Sequence, residues 1–335
     1  MHGYTYPGGQ LVFFTTPNHS LMKTKVLLFS VLAAALLIVG CRKDGTNDDP
    51  APSPTPSSNA GVFRSWFAQH VEDAAQLFAI NASVGGEVEG TDGVTLIFEP
   101  NAFLHADGTP VSGAVEVSLV EALTIGDMIW LNKQTVGNDN GTLRMLRSGG
   151  EIRVLATQGG EELRVVDGGM LVVVPAESID PAMELFSGRE DNAGRMIWAP
   201  LDSVIVTANP DSISDGYGFY PDSLEWLNCD YFFTYPSTTT LDVTIPAGQP
   251  SDSTMVWIAF PTENAIMEMQ NVGSQTYRTM QVVPVGMQAV VIGLYRNGTS
   301  YYSSFSTGAI SVGTTIPMTF EATTLPQFFA VLNAL

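Results

Sequence analysis

The sequence predicts a mainly β protein, with two antiparallel β-sandwich domains preceded by one amphipathic helix. Short segments in which apolar and polar residues alternate recur from Val84 onward, which is typical of half-buried strands. Turn-forming residues separate these segments, and the chain contains 32 glycines and 20 prolines. No helical segment of crossover length stands between successive strands, so the spacing favours antiparallel pairing over βαβ units.

The helix is predicted within residues 61–82. Apolar side chains recur there at spacings of three and four residues, namely Phe63, Phe67, Val71, Ala74 and Phe78. Such a stripe packs a helix against a neighbouring β-domain. A membrane-surface role is the alternative, but basic residues are scarce in this segment.

The first β-domain is predicted over residues 83–185. Within Val111–Glu121, Val115, Val117 and Leu119 point to one side, while Glu116 and Ser118 point to the other. Other strand-like segments read GVTLIFEP, GEIRVLAT, EELRVV and MLVVVPA.

The second β-domain is predicted over residues 195–335, after an irregular acidic region near Ser187–Gly194. Its strands read LDVTIPA, TMVWIAFP, AVVIGLYR and TSYYSSF. Asn297 and Gly298 separate the last two, and both are expected at positive φ in a hairpin turn. The domain boundary is placed near residues 180–200.

The N-terminal segment predicts export. Lys23 and Lys25 precede the apolar run Val26–Val39, which is too short to span a bilayer and has the form of a secretory signal. The end of the run, Ile38-Val39-Gly40-Cys41, resembles the lipobox of bacterial lipoproteins. That resemblance implies acylation of Cys41, and the membrane is then a partner through this anchor. A buried free cysteine after a core helix is the alternative.

Three segments follow from this interpretation. Residues 22–40 form the lipoprotein signal peptide, with the natural start at Met22, and residues 1–21 are an upstream extension without a structural role. Residues 41–60 are rich in Pro, Ser and Asp and are expected to form a disordered tether. Its cluster of Asp44, Asp48 and Asp49 resembles the export tag of Bacteroidota surface lipoproteins, which implies an outer-membrane protein exposed at the cell surface.

Composition limits the partners. The formal net charge of −20 disfavours nucleic acid and other polyanions. Only 14% of residues are charged and 45% are hydrophobic, which is ample material for a large core. Cys229 has no disulfide partner if Cys41 carries lipid.

The segment Phe98–Met128, read as FEPNAFLHADGTPVSGAVEVSLVEALTIGDM, carries a wider resemblance. It resembles a β-sandwich module of Bacteroidota surface lipoproteins and is similar to ZU5-like and carboxypeptidase-regulatory-like domains. Ser148–Ile152 and Trp226–Asp230 resemble further marks of those lipoproteins. The likeness covers residues 84–235; it implies a fold and a cell-surface setting, and it supplies no catalytic residue.

Catalytic chemistry has little support in the sequence. Cys229 with His70 or His105 would make a nucleophile and base, but a cysteine among Leu and Phe residues is typical of a core. No nucleophile elbow, phosphate-binding loop or dinucleotide motif is present. We therefore expect no enzyme.

Calcium is the one cofactor that the loops suggest. Asp139 lies in Asn138–Gly141, and Asp211 and Asp215 lie in a second Asp- and Ser-rich loop, so hard oxygen ligands are available. Neither loop has EF-hand spacing, and ordinary Asx-Gly turns explain both without a metal.

Aromatic residues are the third candidate. Trp226, Tyr295, Tyr301 and Tyr302 could stack on a sugar or peptide, and adjacent tyrosines in a strand must face opposite sides. Ordinary core packing is the alternative.

Taken together, these patterns favour a non-enzymatic, lipid-anchored cell-envelope protein that serves binding, adhesion or assembly of a surface complex. A glycan or a protein is the expected ligand. Two alternatives remain: an envelope hydrolase that uses carboxylates the sequence does not single out, and a calcium-dependent glycan-binding module.

Overall fold

The computed structural model describes residues 63–201, 207–208, 216–273 and 275–335, with the backbone alone at 207–208. The predicted signal peptide, Cys41, the tether, Asp211 and Asp215 lie outside this part of the chain. The described residues confirm the mainly β fold. Their helices are α1 (Arg64–Asp73), α2 (Ile125–Trp130) and α3 (Leu325–Leu332), with single 3-10 turns at Ser251–Ser253 and Pro261–Glu263.

Four larger sheets carry the fold. Sheet 1 contains β1 (Gln76–Asn81), β5 (Ala114–Ala122), β6 (Val136–Asp139), β7 (Thr142–Gln158), β8 (Glu161–Glu162), β11 (Glu184–Glu190), β12 (Met196–Pro200) and β15 (Trp226–Phe232). Sheet 2 contains β2 (Gly86–Glu89), β3 (Thr95–Phe98), β10 (Met170–Pro175), β13 (Thr207–Ala208) and β14 (Gly216–Phe219).

The other two sheets come from the later part of the chain. Sheet 3 contains β17 (Asp242–Thr244), β20 (Gln270–Gly273), β21 (Thr276–Arg278) and β25 (Thr315–Pro317). Sheet 4 contains β18 (Thr254–Phe260), β19 (Ala265–Glu268), β23 (Gln288–Asn297), β24 (Ser300–Ala309) and β26 (Glu321–Thr323). Two short pairs complete the strands: β4 (Phe103–Leu104) with β9 (Arg164–Val165), and β16 (Thr238–Thr239) with β22 (Val283–Pro284).

Part of sheet 1 closes on itself. The strand order β7-β15-β11-β12-β6 returns to its start because β6 also pairs with the first residues of β7. The 17-residue length of β7 makes this closure possible, since its early residues pair with β6 and its later residues pair with β15 and β5. We call these five strands the ring.

Sheets 1 and 2 share one apolar core, and sheets 3 and 4 share a second. Sheets 1 and 2 contribute side chains to one apolar cluster, to which Leu119, Val154, Val172 and Leu227 belong. Sheets 3 and 4 share another, which includes Val243, Ile258 and Val291. A third cluster joins all three helices to the other face of sheet 4 and to the end of β5. In β18 all seven residues are buried because both of its faces are covered, as its continuous apolar run predicts.

The predicted strand segments are confirmed, and the helices need correction. The first helix ends at Asp73, and Gln76–Asn81 form a strand that pairs with β5 in register Gln76↔Leu119. Sheet pairing therefore overrides the helical spacing at Phe78, whereas Ala74 is the C-cap of α1. The structure also has α2 and α3, which the sequence pattern does not predict. A capping box begins each of them, at Thr124 for α2 and at Thr324 for α3.

The acidic region near Ser187–Gly194 is also regular rather than irregular. It forms the hairpin of β11 and β12, in register Gly188↔Trp198. Beyond the predicted boundary near residues 180–200, β14 still pairs with β10, and β15 pairs with β7 and β11. Strand pairing thus moves from sheets 1 and 2 to sheets 3 and 4 after Phe232. The sandwich arrangement and the division into two domains stay predictions.

The hairpin of β23 and β24 is confirmed, with a different turn. Asn297 pairs with Ser300, so the two central residues are Gly298 and Thr299. Gly298 has φ +61°, whereas Asn297 and Thr299 are not at positive φ. One positive φ at the first central position is the pattern of a type II′ turn.

Two pairings in the described sheets are parallel, β6 with β12 and β17 with β25; the others are antiparallel. Among the described helices, none has the length and apolar character needed to cross a membrane.

Candidate functional site

Strands β7 and β15 have one apolar face and one polar face. Ile152, Val154, Leu227 and Cys229 point into the core shared by sheets 1 and 2. Alternation along each strand places a second set on the opposite face, which is turned to the inside of the ring, namely Glu151, Arg153, Trp226, Asn228 and Asp230. The candidate site is built on this polar face.

A β-bulge aligns the polar residues. The register between β7 and β15 shifts at Cys229, which lies opposite both Gly149 and Gly150. Gly150 has φ +131°, and a Cβ there would lie 2.8 Å from a methyl carbon of Leu123, so glycine is required. Because of the extra residue, Glu151 faces Asn228 and Ser148 faces Asp230.

These side chains form a short buried hydrogen-bond chain. Ser148 Oγ donates to Asn228 Oδ1 at 3.2 Å, and Asn228 Nδ2 donates to Asp230 Oδ2 at 2.6 Å. Both carboxyl oxygens of Glu151 and Oδ1 of Asp230 have no hydrogen-bond partner among the described residues. Burial raises the pKa of Glu151 and of Asp230 well above the usual range, and the nearby Asp230 raises that of Glu151 further. The uncharged forms are therefore favoured.

The buried segment Asn132–Thr135, which we call the connector, joins the ring to sheet 4. Trp198 Nε1 donates to the Gln134 carbonyl at 2.8 Å, and Gln134 Nε2 donates to the Met196 carbonyl at 3.0 Å. On the sheet 4 side, Trp257 Nε1 donates to Asn132 Oδ1 at 3.2 Å. Thr135 Oγ1 donates to the Ile266 carbonyl at 3.0 Å. These bonds hold the connector on both sides.

The connector carries Lys133, the only lysine after Lys43 in the sequence. Its side chain is 5% exposed, and its Nζ donates to Glu190 Oε1 at 2.7 Å. The same ammonium lies 4.9 Å from the ring centroid of Trp226, a cation–π distance. A buried cation of this kind is expensive to maintain unless a charge and an aromatic face support it.

A cleft of about 340 Å³ lies between α1 and the ring, with Lys133 among its lining residues. The α1 side contributes Arg64, Phe67, Ala68, Val71 and Glu72; the ring contributes Arg153, Gly188, Glu190, Met196 and Trp226. This volume is within the range of small-molecule sites. The lining combines apolar walls with convergent charged groups.

The other two cations of the cleft differ in their partners. Arg153 Nη1 lies 3.0 Å from Glu72 Oε1 on α1. Arg64 is exposed, and no acidic side chain of the described residues forms an ion pair with it. One guanidinium at the rim of the cleft is therefore free of an ionic partner within the described part of the chain.

The predicted aromatic residues do not form one surface. Trp226 lines the cleft. Tyr295 and Tyr302 stack across β23 and β24 with ring centroids 5.6 Å apart. Tyr301 faces the other side of β24, where it packs against the helix-bearing core and Arg296 lies 5.8 Å from its ring. None of the three tyrosines lines the cleft.

The structure gives Asp139 a role in a turn. Asn140 and Gly141 form the β6–β7 turn, and Asp139 makes an ion pair with Arg144. Among residues 63–201, 216–273 and 275–335, no group of three or more His, Cys, Asp or Glu side chains is placed to hold a metal ion.

Cys229 and the histidines belong to separate environments. Cys229 is fully buried in the core of sheets 1 and 2, and burial raises the pKa of its thiol well above the usual range. His70 stacks on Trp130 with ring centroids 4.1 Å apart, and burial lowers its pKa. His105 Nδ1 lies 3.4 Å from Glu161 Oε2.

A second cavity, of about 450 Å³, is lined by Glu268, Arg195, Gln134 and Gln270 among others. Glu268 is 4% exposed, and burial raises its pKa to about 7, against a smaller opposing effect of Arg195. This carboxyl is buried and lines the cavity.

Sequence reasoning missed Lys133, Glu151 and Glu268. The signal for Lys133 was present, because a solitary lysine in a polar tetrapeptide directly after the apolar segment of α2 is unusual in this chain. Glu151 and Glu268 stand in ordinary strand patterns, and only their surroundings distinguish them.

No protein-family model matches the chain, and no curated protein matches it.

Proposed function

We propose that this protein is a lipid-anchored cell-envelope protein, held in the bacterial outer membrane and exposed at the cell surface, whose folded part binds a small ligand in the cleft between α1 and the ring. The observation that carries the binding role is the cleft itself, in which the connector holds Lys133 beside Trp226. Preorganised charged and aromatic groups of this kind reduce the entropic cost of binding.

The lipid anchor is supported by residues 22–41. The two lysines, the short apolar run and the lipobox-like Ile38–Cys41 have the order found in lipoprotein signals. The resemblance of residues 84–235 to Bacteroidota surface lipoproteins points to the same setting. A polar tether of residues 41–60 would separate the folded part from the membrane.

A binding role is preferred to catalysis because of where the acids lie. Glu151 and Asp230 are fully buried, and neither lines the cleft. Proton transfer to or from a ligand needs hydrogen-bond reach, which sealed carboxyls lack. The groups that do face the cleft are cations and their surface acids.

The anchor is tested by growth with a labelled fatty acid. The parent protein should incorporate the label, and Cys41→Ala should not, because no other thiol borders the apolar run. Label retained in Cys41→Ala would contradict the lipid anchor.

The binding site is tested by a small-molecule screen with the lipidated full chain in detergent, read out by thermal shift. Ala68 is exposed and lines the cleft, so Ala68→Trp should fill the cleft and abolish the shifts. Gln69→Trp is the matched control, because Gln69 is exposed on the same helix and does not line the cleft. Equal binding by both variants would exclude the cleft as the site.

A hydrolase is the second candidate, and one observation favours it. Glu268 faces the 450 Å³ cavity beside Arg195, and a carboxyl with a pKa of about 7 is suited to general acid–base chemistry. A panel of ester and glycoside substrates tests this role. Hydrolysis that is lost in Glu268→Gln while Arg278→Gln retains it would favour the hydrolase.

A further inference from the structure

The lining of the cleft has the opposite sign of charge from the protein as a whole. The chain has 34 acidic and 14 basic residues, yet three cations and two acids line the cleft. Arg64, Lys133 and Arg153 therefore give it a net positive lining on a strongly acidic chain. In a partly enclosed site the field of such a lining is screened less than on an open surface.

The ion pair of Lys133 is asymmetric. The lysine side chain is 5% exposed and the Glu190 side chain is 52% exposed. The connector and Trp226 hold the lysine in place. The Glu190 side chain can rotate into solvent at a low free-energy cost, because it is already half exposed. The cation is thus a fixed part of the cleft, and its counterion can be exchanged.

Among the described residues, the acid beneath Lys133 is a poor replacement for that counterion. Glu151 is the buried acid whose charge would interact with Lys133 from inside the ring. Burial raises the pKa of Glu151, which weakens its capacity to neutralise the ammonium. A desolvated cation in this position interacts strongly with any anion that reaches it.

The walls of the cleft indicate that the rest of the ligand is apolar. Phe67 is 5% exposed and Val71 is 7% exposed, and both contribute apolar surface from α1. Trp226 adds an aromatic surface from the ring. Arg64, which has no ion-pair partner among the described residues, lines the cleft and is available to a second oxygen of an anionic group.

We propose that the cleft binds a small organic anion, whose carboxylate or phosphate group replaces Glu190 on Lys133 and contacts Arg64 while its apolar part lies against Trp226 and Phe67. This inference rests on the proposed binding function. The anionic group supplies the specificity, and the apolar walls supply the contact area.

The test uses the lipidated full chain in detergent, made with Lys43→Arg and labelled with ¹³C at lysine Cε, so that Lys133 gives a resolved signal. The probes are benzoate, phenyl phosphate, benzamide and benzylamine. The two anions should shift the Lys133 resonance saturably and bind at least about tenfold more tightly than neutral benzamide or cationic benzylamine.

Three variants sharpen this test. Glu190→Gln removes the competing counterion and should tighten anion binding severalfold, and Arg64→Gln should weaken it. Lys133→Met should abolish the preference for anions; because a buried lysine is replaced, its fold is checked by circular dichroism. Arg278→Gln is the control, since Arg278 pairs with Asp242 on sheet 3 and does not line the cleft, and it should leave binding unchanged.

The outcomes separate the two proposals. Equal binding of benzoate, benzamide and benzylamine would keep the cleft as a binding site and overturn the anion inference. Unchanged benzoate affinity in Glu190→Gln would also overturn it, even if Lys133→Met does not fold. If the wider screen finds ligands that bind elsewhere, as judged by Ala68→Trp, the proposed function fails and the inference fails with it.

Discussion

The two faces of strands β7 and β15 are made from alternating residues of the same two segments and have opposite characters. One face carries Ile152, Val154 and Leu227, all 0% exposed, in the core of sheets 1 and 2. The other face carries Glu151, Asn228 and Asp230, which are also 0% exposed. The side chains of both faces are equally buried. Burial costs an apolar side chain no hydrogen bonds. Buried polar side chains destabilise the fold unless they form hydrogen bonds or, in the case of acids, take up a proton.

This difference shows how the fold separates stability from binding. The apolar face is complete without a ligand, because its partners are side chains of sheet 2. The polar face continues into the cleft at Arg153 and Trp226 and depends on the connector for its cover. Substitutions on the two faces should therefore differ in how much they lower stability, in the pH dependence of that loss and in their effect on ligand binding.

The largest effect is expected on the apolar face. Leu227→Ala leaves a cavity in a fully buried site and should lower the free energy of unfolding by about 2–5 kcal/mol. Leu77→Ala is the control, since Leu77 is 63% exposed and should change stability by less than about 0.5 kcal/mol. Urea titration measures both. A loss below that of the control would mean that sheets 1 and 2 do not share a tight core.

Outside these two faces, stability should depend on pH through Glu268, which lies on β19 of sheet 4. Its pKa is about 7 in the folded protein and 4.5 ordinarily, so between these values only the unfolded chain releases the proton. The free energy of unfolding therefore falls as pH rises from about 4.5 to 7, by about 3 kcal/mol in all. Glu268→Gln should be more stable than the parent at pH 8 by up to that amount and equal to it at pH 4.

Denaturation at the two pH values tests this effect. Glu321→Gln is the control variant, because Glu321 is exposed on β26 and does not line the cavity of Glu268. A difference between Glu268→Gln and the parent that is the same at pH 4 and pH 8 would contradict the shifted pKa.

A smaller effect is expected at the contact between the ring and the connector. Trp198→Phe removes the N–H that bonds the Gln134 carbonyl and leaves that buried oxygen without its donor, at a cost of about 1–3 kcal/mol. Because the connector carries Lys133, anion binding should weaken as well. Trp130→Phe, at a half-buried indole of α2 that does not line the cleft, should leave anion affinity intact.

The smallest effect on stability is expected at the rim. Arg64 is exposed and has no ion-pair partner among the described residues, so Arg64→Gln should change the unfolding free energy by less than about 0.5 kcal/mol. The same variant should weaken benzoate binding. A loss of stability comparable to that of Trp198→Phe would show that Arg64 is structural, and would blur the contrast between the two faces.

The sequence by itself determined the strands that have clear alternation or a continuous apolar run, because alternation and turn residues are local properties. The segments around Val115–Leu119 and Thr254–Phe260, and the hairpin next to Gly298, lie where the pattern placed them. The sequence also predicts Trp226 as a ligand-binding residue, but the tyrosines predicted beside it lie outside the cleft.

Only the tertiary structure decided which strands meet and what the polar residues do. Residues 76–81 have helical spacing, yet pairing with β5 makes them a strand, since six residues of ladder outweigh a weak local preference. Lys133, Glu190 and Trp226 are distant in sequence and converge because the ring closes through β6 and β7. Burial and proximity are properties of the folded chain, so the charge state of Glu151 and the cation in the cleft follow from packing that local sequence does not encode.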